Sequence, residues 1–293
     1  MSETPTGPAV PTGSATPVDA AASAASAGPS GFAADAEVLA RTADAVRDAA
    51  SALRERFGDV VHHETREELM RALAVNDELA LGILRPRLTQ LRPEARWVEE
   101  ELEGGALPPG EWWVVDPAEG NVNHLHGLPE WAVTATLVRD NVPVLTAVHL
   151  PATGETYTAL AGGGARLDGR PLHVSPTTDL GMGLVATSQA RPDEDEKVVR
   201  RVGASITSML LDALVVRTAV PATLHLLHVA AGRMDAFWQF SGARADLLPG
   251  ALLVTEAGGR VSDAEGRPWS PRSDSFLAAA PGVHAAAVAT LAR

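Results

Sequence analysis

The hydrophobic pattern changes character partway along the chain. From Asp35, apolar residues recur at helical spacing (Val38, Leu39, Val46, Ala49, Leu53), which predicts an amphipathic helix closed by Gly58. The same spacing predicts a second helix over residues 67–91, bent at Pro86. Residues 112–116 form a short apolar run with strand character. Three β-prone runs follow at 131–139, 143–149 and 156–161, separated by the turn pairs Asp140-Asn141 and Thr153-Gly154. Glycines at 162–164 and the pair Asp168-Gly169 bracket a last short strand pair ending near Val174.

After Ser175 the pattern alternates. Strands are predicted at 184–188, 214–218 and 234–239, and helices at 194–202, at 221–232 with Pro221 in the first turn, and at 246–257, closed by Gly258-Gly259. Val261, residues 276–279 and an Ala-rich helix complete the chain. An antiparallel meander followed by strand–helix alternation predicts an α+β unit followed by an α/β unit. The boundary falls near 176–183, giving an N-terminal domain over 35–180 and a C-terminal domain over 181–293. Residues 1–34 are rich in Ala, Pro and Ser without periodicity, and read as a disordered tail.

Composition narrows the function classes. A formal net charge of −13 argues against a general nucleic-acid binder, which needs a basic face. The absence of cysteine excludes disulfides, thiolate metal sites and a Cys nucleophile. No apolar run is long enough to span a bilayer, and the N-terminal segment lacks a basic start and an apolar core, so the expected location is the cytoplasm. The expected partner is a small-molecule substrate.

Chemistry concentrates in residues 112–129, WWVVDPAEGNVNHLHGLP. The apolar run ends in Asp116 and Glu119, followed at once by Gly120. Two acids three apart at a strand end, beside a flexible glycine, suit a hard cation such as Mg²⁺. His124 and His126 follow; on a strand they would share one face, available for substrate contact or acid–base work. His225 and His228, three apart on a predicted helix, form a second pair. Trp112, Trp131 and Trp238 read as core or rim aromatics.

Several segments in order resemble the inositol monophosphatase superfamily: VVDPAEGNVNHLHGLPEWAVTATLV, GGGARLDGRPLHVS, HVAAGRMDAFW and ADLLPGALLVTEAGGRVSDAEG. Glu100, in the run Glu99-Glu100-Glu101, stands for that family's upstream acidic element. The resemblance covers residues 35–293 and implies a layered αβαβα sandwich and a Mg²⁺-dependent phosphomonoesterase. It implies metal ligation by Glu100, Asp116, the Ala118 carbonyl, Glu119 and Asp246. It also implies that Gly120, Asn121 and Val122 present backbone N–H groups to phosphate at a helix start. Arg244, just before Ala245-Asp246, is placed to meet an anionic substrate. A homodimer is implied by the resemblance alone.

The chain departs from the family pattern at its chemistry. Glu119 replaces an Asp, adding a methylene to a metal ligand. Asn121 replaces a Thr whose hydroxyl, backed by a carboxylate, helps deprotonate the attacking water; an amide cannot relay a proton that way. Val122, Ala245 and Val220-Pro221-Ala222-Thr223 replace further polar, aromatic or flexible positions. Arg66 stands nearest the usual Lys of the segment REELMRALAVND, which ends in Asn76-Asp77. The turn glycines of the scaffold are kept. Three readings therefore stand at this point. One is a phosphatase using the acids and Asn121. Another is a repurposed enzyme in specialised metabolism, working with Asp116, Glu119, Asp246, His124 and His126. The third is a non-catalytic binding module on the same fold.

Overall fold

Two helices open the fold: α1 (Pro29–Arg54) and α2 (Arg66–Leu91). The computed structural model describes residues 29–58, 62–99, 105–191, 194–240 and 244–293. α1 buries Val38, Val46, Ala49 and Leu53, the stripe its spacing predicts. It begins at Pro29, so residues 29–34, expected within the tail, form its opening turns, while residues 1–28 lie outside the described residues. α2 starts on a capping box: the Thr65 hydroxyl accepts from the Glu68 N–H, and the Glu68 carboxylate accepts from the Thr65 N–H.

The helices cover one face of a seven-stranded sheet. Its strands are β1 (Arg96–Trp97), β2 (Glu111–Glu119), β3 (Ala132–Arg139), β4 (Val142–Leu150), β5 (Glu155–Leu160), β6 (Gly164–Leu167) and β7 (Arg170–Pro171). They lie in sequence order, antiparallel except for β1 on β2. Asp140 and Asn141 both adopt positive φ, the geometry of a two-residue hairpin turn between β3 and β4. β3 is buried on both faces from Ala132 to Val138, because helices cover both sides of this sheet. A short helix, α3 (Asn121–Leu125), leaves the end of β2.

The second sheet contains β8 (Leu184–Thr187), β9 (Val215–Thr218), β10 (Ala236–Gln239), β11 (Arg260–Ser262) and β12 (Phe276–Ala279), in the order β11-β12-β10-β8-β9. β9, β8 and β10 run parallel; β12 and β11 are antiparallel. Between the sheets lie α5 (Ala222–Ala230) and α6 (Arg244–Glu256); on the outer face lie α4 (Glu196–Asp212) and α7 (Pro281–Leu291). The result is the layered αβαβα sandwich expected. Leu224, Leu226, Leu227, Leu252 and Leu253 of the middle layer pack with Tyr157 from one sheet and Phe237 from the other, so one core joins the two halves. A side chain at Gly250 would sit 2.3 Å from Leu226 Cβ, so α5 and α6 cross at a distance only glycine permits.

α4 runs ten residues beyond its expected end. Its buried stripe is Val202, Ser205 and Met209, and the polar Ser205 breaks the apolar period. That serine is satisfied inside: its hydroxyl donates to the Val202 carbonyl and accepts from Trp238 Nε1 at 2.9 Å.

Candidate active site

β2 carries Asp116 and Glu119 into the site through a bulge. Asp116 pairs with Thr134 and Glu119 with Ala132, so three steps along β2 oppose two along β3. In a regular strand, residues three apart point to opposite faces. The extra residue turns both carboxylates to the same side. Asp116 braces the bulge itself, its Oδ1 accepting from the Ala118 N–H at 3.0 Å.

Asp246 arrives from the first turn of α6, where the helix N-terminus favours an acid. Carboxylate oxygens of Asp116, Glu119 and Asp246 lie within 4.8 Å of one another. Thr223, fully buried in α5, ties two of the three together. Its hydroxyl lies 2.8 Å from Glu119 Oε2 and 2.9 Å from the Asp246 backbone carbonyl. One hydroxyl proton faces two acceptors, and the charged one makes the stronger bond. Glu119 is 3% exposed, so this bond fixes the longer carboxylate. Burial pushes the Asp246 carboxyl up to about 6, with Arg191 pulling the other way. An all-oxygen set of three carboxylates, one resisting ionisation in dense packing, is the chemistry a hard divalent cation matches. Glu100 lies outside the described residues, and so does the side chain of Arg244.

Gly120 makes the turn from β2 into α3. Its φ is +79°, and a Cβ there would meet the Glu130 carbonyl at 2.7 Å, so no other residue fits without displacement. Asn121 and Val122 then open α3, with Val122 exposed. The Asn121 side chain is fully engaged. Its amide nitrogen donates to the Leu73 carbonyl at 3.0 Å and Asp77 Oδ1 at 2.8 Å, and its oxygen accepts from Asn76 at 2.8 Å. Burial pushes the Asp77 carboxyl up to about 6, with the Asn121 amide drawing it down. Asp77 was legible only as the end of REELMRALAVND, without a role; Thr223 lay in a segment read only as a departure from the family pattern.

The two histidines beside the acids do not share a face, because residues 121–125 are helical. Residues two positions apart on a helix differ by about 200° around the axis. His126 is exposed at the end of α3. His124 is buried against Trp131 at 4.7 Å and Phe57 at 5.5 Å between ring centroids. Its Nε2 lies 3.0 Å from the Leu53 carbonyl and its Nδ1 3.1 Å from Asn76 Nδ2. Burial holds it below the usual histidine range. His225 is buried too, stacked on Phe237 with Nε2 donating to the Ala219 carbonyl. Trp131 and Trp238 are fully buried, whereas Trp112 lies at the rim under the Arg96 guanidinium.

Five alternating layers, with an all-oxygen cluster where β2, α5 and α6 meet, match one family over nearly the whole described chain. Residues 35–293 fit the model of the inositol monophosphatase family, and the chain belongs to that family. The inositol-1-monophosphatase of Rhizobium meliloti is 36% identical over 194 residues, covering 65% of this chain and 71% of that protein. Inositol monophosphatase 3 of Solanum lycopersicum is 31% identical over 228 residues, covering 76% and 84%. The solved structure of the extragenic suppressor protein SuhB from Bartonella henselae has a TM-score of 0.74 at 26% identity, covering 89% of this chain and all of that one.

Proposed function

We propose that the protein is a Mg²⁺-dependent phosphomonoesterase acting on a small polyol phosphate, with an inositol monophosphate as the first substrate to assay. The observation that carries this reading is the convergence of Asp116, Glu119 and Asp246 within 4.8 Å. Family membership supports it, as do relatives named for inositol monophosphatase activity.

Asp116, Glu119 and Asp246 would hold Mg²⁺, joined by Glu100 and the Ala118 carbonyl. The chemistry supplied by the bound ion is charge stabilisation at the phosphoryl oxygens and a more acidic water. Thr223 keeps Glu119 aligned despite its extra methylene. The backbone N–H groups of Gly120, Asn121 and Val122, at the turn into α3, bind the phosphate. Asp77 takes the proton released by the attacking water, and Asn121 holds Asp77 in place. The water oxygen attacks phosphorus, the ester P–O bond breaks with its electron pair going to the polyol oxygen, and that oxygen takes a proton from solvent water to leave as the alcohol. Arg244 is assigned to the substrate's anionic side.

His124 no longer supports the repurposed-enzyme reading, since both its ring nitrogens serve the fold. Exposed Met182, Leu210, Leu211 and Leu214 support a homodimer, because apolar side chains of this size favour cover. Among the described residues, no helix is long and apolar enough to cross a membrane; a cytoplasmic location is part of the proposal. Phosphate release from inositol, sugar and nucleotide monophosphates with Mg²⁺ tests the reading. Release abolished by Asp116→Asn is expected; no release above that variant would overturn it.

A further inference from the structure

A buried polar chain leads from α1 and α2 to Asn121, and chemistry fixes its sense at both ends. The Leu53 carbonyl can only accept, so His124 Nε2, at 3.0 Å, carries the ring proton. His124 Nδ1 is then an acceptor. Arg56 Nε can only donate, so the Asn76 atom 3.3 Å away is its oxygen. Asn76 therefore turns its amide nitrogen toward His124 Nδ1 at 3.1 Å and Asn121 Oδ1 at 2.8 Å. With its oxygen committed there, Asn121 turns its nitrogen to the Leu73 carbonyl and to Asp77. Asn76 is 1% exposed and His124 3%, so bulk water does not compete for these bonds.

We infer that Asn76 and His124 are positioning residues: they hold the Asn121 amide in the one orientation that donates to the Asp77 carboxylate. The inference rests on the hydrolase reading for its catalytic consequence, though not for its structural one. Turned over, Asn121 would set its oxygen against Asp77, leaving two acceptors facing each other and two donors meeting between Asn121 and Asn76. Asp77 would then lose the bond that favours its charged form and become a poorer proton acceptor. Among the groups of this network, Arg56 carries a fixed charge and His124 is held neutral by burial.

Asn76→Leu tests the inference, because it nearly keeps the shape while removing the amide donor to Asn121 and adding no charge beside Asp77. In metal-free protein, side-chain carbon NMR of Asp77 is expected to show its titration midpoint rising from about 6 to about 7 or above. In the phosphatase assay kcat falls about tenfold to a hundredfold, while KM stays within about twofold. In an Asn121→Thr background the same change has no such effect, since a hydroxyl rotates to donate to Asp77 in either case. His124→Phe, which keeps the ring packing, serves if Asn76→Leu does not fold; it raises the midpoint in the same direction and lowers kcat about threefold. An unmoved Asp77 midpoint, or an equal kcat loss in both backgrounds, would overturn the inference. If the unsubstituted protein releases no phosphate, the hydrolase reading fails alone, and the NMR titration still decides this one.

Discussion

Asp246→Asn should make the metal-free protein more stable while abolishing its activity. Burial moves this carboxyl from 3.8 to about 6. At 1.36 kcal/mol per pH unit, ionised Asp246 costs the folded state about 3 kcal/mol. The substitution removes that cost but forfeits the attraction between a carboxylate and the start of α6, about 0.3–1 kcal/mol. A net gain of about 2 kcal/mol remains at pH 8, which for a chain of this size is roughly 3–4 °C in Tm. The sign follows from the direction of the shift. A folded-state pKa above the unfolded one means that the penalty is complete above about 6. It shrinks as pH falls and is gone near 3.8. Thermal and urea denaturation in chelator from pH 4 to pH 8 measure the difference between the two proteins. Mg²⁺ should then stabilise the parent protein and leave the variant unmoved. A variant less stable at pH 8, or a difference independent of pH, would show that ionised Asp246 carries no such cost.

Thr223→Val removes the hydroxyl that holds Glu119; Mg²⁺ affinity by calorimetry should fall about 10- to 100-fold, and unchanged affinity would show that Glu119 aligns without it. Gly120→Ala places a Cβ 2.7 Å from the Glu130 carbonyl at a φ of +79°; a loss above about 2 kcal/mol in urea denaturation is expected, and a neutral result would mean that the turn relaxes freely. Asn121→Thr restores a hydroxyl beside Asp77. It should raise kcat about tenfold while costing about 1 kcal/mol of stability through the lost bonds to Asn76 and Leu73. An unchanged or lower kcat would show that the amide is no handicap.

Local signals carried much of this structure. The stripe of α1, the hairpin turn at Asp140-Asn141 and the alternation after Ser175 each arise from neighbours in sequence, and the layers follow from them. The site was legible where its acids sit next to a turn glycine. What the chain concealed depends on contacts distant in sequence. A bulge at residues 116–119 reverses one side chain, and no periodicity announces it. α3 is five residues long, too short for helical spacing to register. It is held from outside by Asn123, whose amide donates to the carbonyls of Glu130 and Val220. Read as a strand, the segment set His124 beside His126; as a helix it buries His124 under α1. Thr223 reaches Glu119 across 104 positions, a bond that only the packing of α5 against the end of β2 creates.

The proposed hydrolysis depends on Asp116, Glu119 and Asp246 forming one divalent-cation site. A crystal grown with Mn²⁺ in place of Mg²⁺, measured for anomalous scattering, tests it most directly. A strong anomalous peak is expected, with oxygens of all three carboxylates at coordination distance, about 2.1 Å. Carboxylates bridged by Arg191 with no peak between them, or a peak confined to other surface acids, would contradict it.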